Sequence, residues 1–427
     1  MADSAQFGRR AFLRGTGGVA TLGALAACGS NHGSAGSSGS SGLAQWYHAY
    51  GEKGTEQAAK RYAAAYTKAK VDVQWIPGQY VTKLSSGLLG SSGPDVFEDQ
   101  LNVDLVHAKE VIPLDDVLGL AKSDFVEATL ATNTVDGHVY GIPMVEDMQL
   151  LYYRKSLLAK AKVKPPTTLD ELAAAAATLT SKNVKGLFLG NFIDSDGSGN
   201  ITPLGGPLLW SAGLDLISAD GSAAGFDDPR AGAAVDKLHD LFNSGHLLLG
   251  APTDWSDPSA FTQGLAAMQW SGLWAMPAIQ AKFGDDFGVL PFPKLDAKGD
   301  VSVPIGTWAA MVSGKSKNQQ AAKDFIRWLW IDQTDYQQDF NLSYGFHLPP
   351  RRSIASAAAK LKGGAAADAV TYSAQHAHPA SPPLWTPVMN TAYQDALSNI
   401  VKKGSGASKE LATAAQTVQK ELKRINK

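Results

Sequence analysis

The sequence predicts an α/β protein built on parallel strands, and three observations carry that expectation. The folded part opens with strand, helix and strand patterns joined by short connections. The same alternation returns further along. At 427 residues the chain is too long for one simple core, so two domains are expected.

Residues 43–50 form a short apolar and aromatic run, read as a buried strand. Residues 55–69 place Ala58, Tyr62, Ala65, Tyr66 and Ala69 on one face, a helical spacing. Val71, Val73 and Trp75 then alternate with Asp72 and Gln74, a strand spacing. Strand, helix and strand so joined make a βαβ unit and a parallel sheet. Gly93-Pro94-Asp95-Val96-Phe97 reads as a further strand entered through a turn. Residues 139–142 and 150–153 are strand-like, and Pro165-Pro166 keeps the next stretch out of a helix. Thr168 and Glu171 form a capping box ahead of a helix over 169–179. Residues 184–189 read as a strand and 194–206 as a long Gly- and Ser-containing loop. Helical patterns follow at 229–242 and 261–268, and strand patterns at 270–276, 287–290 and 307–312. Residues 321–331 and 408–422 read as helices, the second with Leu411, Ala415, Val418 and Leu422 on one face.

The N-terminus carries three cues in order. Arg9-Arg10-Ala11-Phe12-Leu13-Arg14 resembles a twin-arginine export signal. The apolar run after it, residues 19–27, is too short to span a bilayer, which takes ~20 residues, and fits a cleaved signal. Leu25-Ala26-Ala27-Cys28 reads as a lipobox, with Cys28 as the acylated residue. Residues 29–42, almost all Gly and Ser, then form a flexible linker with a reach of roughly 20 Å. The expectation is an exported body, monomeric, tethered by lipid on Cys28 to the outer face of the cytoplasmic membrane.

Composition narrows the function. The chain has 38 basic and 40 acidic residues, a net charge of −2, which gives no electrostatic footprint for nucleic acid. Cys28 is the only cysteine, so no disulfide and no thiolate metal site is expected. Gly314-Lys315-Ser316 lacks the earlier glycine of a phosphate loop, because position 309 is Ala. Asp194-Ser195-Asp196-Gly197 begins like a calcium loop, but its twelfth position is Gly205, so only a weak cation site stays open there. His376 and His378 have no metal-like partners nearby in sequence and read as surface loop residues. No nucleophile elbow, His-Glu-x-x-His motif or cysteine nucleophile occurs. A carboxylate pair for glycoside hydrolysis is a matter of distance that sequence leaves open.

The ten tryptophans stand out. Trp46, Trp210, Trp270, Trp274, Trp308 and Trp385 lie near expected strand ends or loops. An aromatic ring covers the C–H face of a sugar while carboxylates and amides take its hydroxyls. The expectation is a mixture, some packed in the core and a few lining a cleft.

Six blocks then resemble one family in order. Val135-Asp136-Gly137-His138-Val139-Tyr140-Gly141-Ile142-Pro143 continues through Leu151-Tyr152-Tyr153-Arg154 and Pro165-Pro166-Thr167-Thr168. Gly264-Leu265-Ala266-Ala267-Met268, with Gly272 and Trp274, is followed by Phe287-Gly288-Val289-Leu290-Pro291-Phe292-Pro293 and by residues 306–330. Together they resemble the extracellular solute-binding proteins of carbohydrate ABC importers, the group containing maltose-binding protein. Leu169 stands where many relatives have Trp, and Tyr153-Arg154 where many have Tyr-Asn.

The resemblance implies a two-lobe periplasmic-binding-protein-like fold of type II, with discontinuous lobes joined by hinge strands. It places one lobe at 43–145 plus 305–345 and the other at 146–304 plus 346–427, with crossings near Met144-Val145, Pro304-Ile305 and Tyr344-Gly345. It implies a carbohydrate held between the lobes, delivery to ABC permease subunits, no catalysis and no cofactor. Asp99, Gln100, Glu146, Asp147 and Asn191 match positions of polar sugar contacts, and Trp274 matches a stacking tryptophan. Trp46, Trp308 and Trp385 are added by neighbourhood. Two alternatives stay open. The same fold could hold a glycerol-phosphate-type solute on Arg154 or Arg351-Arg352, or a polyamine among carboxylates. The chain could instead be a secreted glycosidase.

Overall fold

The structure, a computed structural model, describes residues 42–90, 92–190, 204–251, 253–380 and 382–426. Cys28, the export cues, the linker up to residue 41, Asn191 and most of the 194–206 loop lie outside the described residues. Among those described, no helix is long and apolar enough to cross a membrane.

The strands in chain order are β1 (Leu43–His48), β2 (Val71–Ile76), β3 (Val96–Asp99), β4 (Thr134–Val135), β5 (His138–Val139), β6 (Ile142–Tyr153), β7 (Lys185–Phe188), β8 (Ala266–Gly272), β9 (Gly288–Leu290), β10 (Val303–Val312) and β11 (Ala377–Pro379). The expected βαβ unit forms. β1 and β2 pair in parallel, joined through the helix Thr55–Ala65, and β3 pairs with β1 in parallel on its other side. The small β4–β5 hairpin turns through Asp136 and Gly137, both at positive φ, the conformation a tight two-residue hairpin needs.

Two long strands carry the sheet from one lobe to the other. The first half of β6 pairs with β10, from Ile142 opposite Ala310 to Met148 opposite Ile305. From Gln149 onward β6 pairs with β8 and then β9 instead. β10 begins beside β11 and ends beside β3. Residues 139–142 and 150–153, read from sequence as separate strands, therefore flank one continuous β6. A third segment follows the same crossing, because the backbones of Glu146 and Leu348 bond each other in both directions at 2.9 and 3.0 Å.

The expected helices at 169–179, 229–242 and 408–422 appear as Leu169–Leu179, Pro229–Asn243 and Ala407–Ile425, and Thr168 and Glu171 make the capping box. The helix expected over 261–268 does not form. A single helical turn, Ser259–Thr262, ends at Gly264 with φ +75°, and Ala266–Gly272 follows as a strand. All seven of its residues are buried, so they carry no period-2 signal. The strand expected over 270–276 stops at Gly272 and gives way to a 3₁₀ turn. His376 and His378 are not loop residues. His376 ends a helix, and His378 lies in β11 with its ring stacked on Trp210 at 4.6 Å.

Candidate functional site

Strand register alone brings the candidate residues to one place. β1 and β3 run parallel, so His48 and Asp99 close the same edge, and Asp99 lies opposite Ala309, next to Trp308. In the other lobe β7 and β8 run parallel, and Gly272 at the end of β8 lies opposite Gln149, the first residue past the switch in β6 pairing. The C-terminal ends of both parallel sets therefore converge on the crossing. Open α/β sheets bind ligands at such strand ends.

On the first side, Trp308 is aimed by a β-bulge. It pairs with Val145 while Ala309 pairs with Pro143, leaving Met144 as the extra residue. Thr307 beside it is fixed by Thr132 at 3.1 Å and by the Asn133 amide at 3.0 Å. Trp308 is half-buried, and His48 stacks on it at 4.1 Å and 26°. Glu98, 1% exposed, accepts hydrogen bonds from the backbone and Nδ1 of His48 at 2.7 and 2.5 Å and from the Tyr50 hydroxyl at 2.8 Å. Asp99 is half-buried, and burial pushes its carboxyl up to about 7. Its Oδ1 accepts from the backbone of half-buried Gln100 at 2.8 Å.

Glu146 and Asp147 point to opposite faces of β6, as successive strand residues do. Glu146 is buried, pushed up to about 7 by that burial, and bonded by Ser373 at 2.8 Å. Asp147 faces the Tyr50 side, where His347 donates to it from Nδ1 and to Glu52 from Nε2 at 3.1 Å.

On the second side, Trp274 is half-buried, donates from Nε1 to Ser256 O at 2.9 Å and meets Trp255 edge-on at 5.4 Å. Its indole lies directly on Gly272, where a Cβ would come within 2.1 Å of the ring. Buried Gln269 pins the Trp255 loop through the carbonyls of Trp255 and Asp257 and the amide of Phe261.

Two expected residues lie elsewhere. Trp46 is 6% exposed, packed on the helix Tyr80–Leu89 at Gly87 with Lys83 over its ring. Trp385 is 5% exposed, packed against Phe226 and Tyr393. Both are core residues: Trp46 lies on the inward face of β1, and Trp385 is turned into the core from the segment just before the helix Pro387–Lys403. Sequence reasoning missed His48, Glu98, Glu52, His347 and Trp255. The signal for His48 was present, a polar residue closing an apolar strand in a parallel unit.

The arginines suggested for a phosphate are engaged. Arg154 forks onto Asp286 at 3.0 and 2.6 Å, Arg351 bonds Asp124 at 2.9 Å, and Arg352 donates to Ser123 O at 3.1 Å. The arrangement offers aromatic faces and hydrogen-bond acceptors. Among the described residues no group of three or more His, Cys, Asp or Glu is placed to hold a metal ion.

The family model for bacterial extracellular solute-binding protein matches residues 47–329. The chain is 26% identical over 422 residues to the galactooligosaccharide-binding protein of Bacillus subtilis (strain 168), covering 93% of this chain and 94% of that one. It is similar to the GacH receptor of Streptomyces glaucescens, solved unliganded and with acarbose, at TM-score 0.73 and 25% identity, covering 90% and 99% of the two chains. An ABC transporter solute-binding protein from Thermotoga lettingae, solved with α-D-tagatose, gives TM-score 0.75 at 21% identity, covering 90% and 100%.

Proposed function

This chain belongs to the bacterial extracellular solute-binding proteins, and on that footing we propose that it binds a neutral carbohydrate between its lobes and delivers it to an ABC importer. The observation that carries the reading is the presence of half-buried aromatic rings on both sides of the crossing, with hydrogen-bonding groups beside the ring on the first side. Trp308, Asp99 and Gln100 serve one side, and Trp274 with Trp255 serves the other. Asp147 lies beside them, and Glu146 acts from the hinge, through its backbone pairing with Leu348. A galactooligosaccharide-binding relative aligned along nearly the whole chain supports the same class.

The glycerol-phosphate alternative is disfavoured because Arg154, Arg351 and Arg352 are already bonded away from these residues. The lobes are taken as 43–145 plus 305–345 and 146–304 plus 346–427. The protein acts as a monomeric binder without turnover. Family membership makes it an exported protein. The finer reading, twin-arginine export and a lipid on Cys28, rests on the lipobox and is tested by the mass of the mature N-terminus.

A thermal-shift screen of the full chain against sugars, sugar phosphates and polyamines tests the reading. A sugar at a hundred times its Kd is expected to add about 2.7 kcal/mol. Shifts with phosphates or polyamines alone would overturn the solute class, and release of product from chromogenic glycosides would overturn the binder reading.

A further inference from the structure

His48 is confined in an unusual way. Trp308 lies against its ring at 4.1 Å and Tyr50 at 4.0 Å. Trp308 is inclined 26° and Tyr50 35° to the imidazole, and the Tyr80 ring meets it edge-on at 6.1 Å. One edge is also occupied. Glu98 Oε1 accepts from the His48 backbone N–H at 2.7 Å, so it acts as an acceptor, and the Nδ1 facing it at 2.5 Å carries the hydrogen. The other carboxylate oxygen is held by the Tyr50 hydroxyl at 2.8 Å. Glu98 is fixed in turn by its place in β3, where its carbonyl accepts from Tyr80 at 2.6 Å.

Three rings and the Nδ1 contact thus hold the imidazole, yet the side chain keeps 21% of its surface open. Nε2 has no hydrogen-bond partner among the described residues. It sits at the C-terminal end of β1, on the side where Asp99 ends β3. With Nδ1 committed to Glu98, Nε2 is the ring nitrogen left to meet a solute, in one fixed direction.

We propose that the Nε2 edge of His48 is a specificity-determining contact that hydrogen-bonds one hydroxyl of the bound solute, and that Glu98 is the positioning residue that aims it. The proposal deepens the carbohydrate reading and rests on it. Trp308 then has two roles, since it covers one face of His48 and leaves its remaining surface to the solute. A rotating histidine would bond hydroxyls in several places. A clamped one selects a single epimer or position, because a ring-bound hydroxyl moved to the other face leaves Nε2 unpaired.

The test uses the purified full chain and calorimetric titration. Wild type is first titrated with a panel of neutral mono- and disaccharides. If no sugar binds, the carbohydrate reading falls and the His48 assignment with it. The sugar that binds is then compared with its monodeoxy analogues. One analogue is expected to lose about tenfold or more on wild type and nearly nothing on His48→Ala, while the others lose equally on both. His48→Gln, which restores a polar edge, is expected to recover part of the discrimination. Glu98→Gln is expected to blunt the same single-position preference in a chain that still melts cooperatively. A purely structural Glu98 would lower affinity without changing which hydroxyl matters. If every analogue loses the same factor on wild type and His48→Ala, the His48 assignment is overturned while the carbohydrate reading stands.

Discussion

His347 is 4% exposed and donates from both ring nitrogens, to Asp147 and to Glu52. Burial opposes its charge, but the two carboxylates outweigh burial and push the imidazole from 6.5 up to about 10. The sign of the pH dependence follows. A raised folded-state pKa stabilises the fold fully below 6.5, and that contribution is lost as pH rises toward 10. Glu52 is held below its ordinary 4.5, with burial opposing and His347 prevailing, so its share is present above 4.5 and lost as pH falls. The triad is therefore strongest between these limits. His347→Gln leaves Asp147 and Glu52 facing each other without a cation and is expected to cost about 3 kcal/mol at pH 6. Melting curves of both proteins across pH should show the gap shrinking toward pH 10. A gap of constant size would mean that His347 acts by packing alone.

At the scale of elements, legibility in the sequence followed local pattern. The βαβ opening, the capping box before Leu169–Leu179 and the amphipathic Ala407–Ile425 were readable because each is a local rule. β8 was misread because Ala266–Gly272 is buried on both faces. Asp99 and Gln100 stand out in sequence as polar residues closing a strand, whereas Trp308, expected near a strand end, lies inside β10 at its bulge. Glu98 was not, because its role depends on His48, 50 residues away. Trp46 and Trp385 look in sequence like Trp308, and only their packing separates them. The block from Gly264 to Trp274 shows what a spacing can encode. Gly272 is required where the Trp274 indole lies on the chain, since a Cβ there would meet the ring at 2.1 Å. Gly272→Ala must expel the ring, with an overpacking cost of about 1–3 kcal/mol and a weaker grip on solute. A lower melting temperature and a larger Kd together bear this out. An unchanged Kd would remove Trp274 from the binding surface.

For the whole molecule, the decisive feature is that one sheet serves both lobes. β6 exchanges β10 for β8 between Met148 and Gln149, and β10 runs from β11 to β3, so the lobes are joined by continuous strands with ladder bonds on both sides of the switch. Bending at such a junction keeps each lobe rigid and moves the strand ends of one toward those of the other. A solute that touches only Trp308 and Asp99 would bind without changing the angle between lobes. One that also reaches Trp274 favours the closed arrangement by its added contacts, since a ligand shifts a conformational equilibrium only through differential affinity. Small-angle scattering during a sugar titration separates these cases. The radius of gyration is expected to fall along the calorimetric binding curve in wild type. In Trp274→Ala, affinity should drop about tenfold, near 1.4 kcal/mol, and the contraction should be smaller at saturation. A radius of gyration that stays constant while wild type fills with sugar would mean that one lobe holds the solute alone, and that Trp308 and Trp274 do not act on the same ligand.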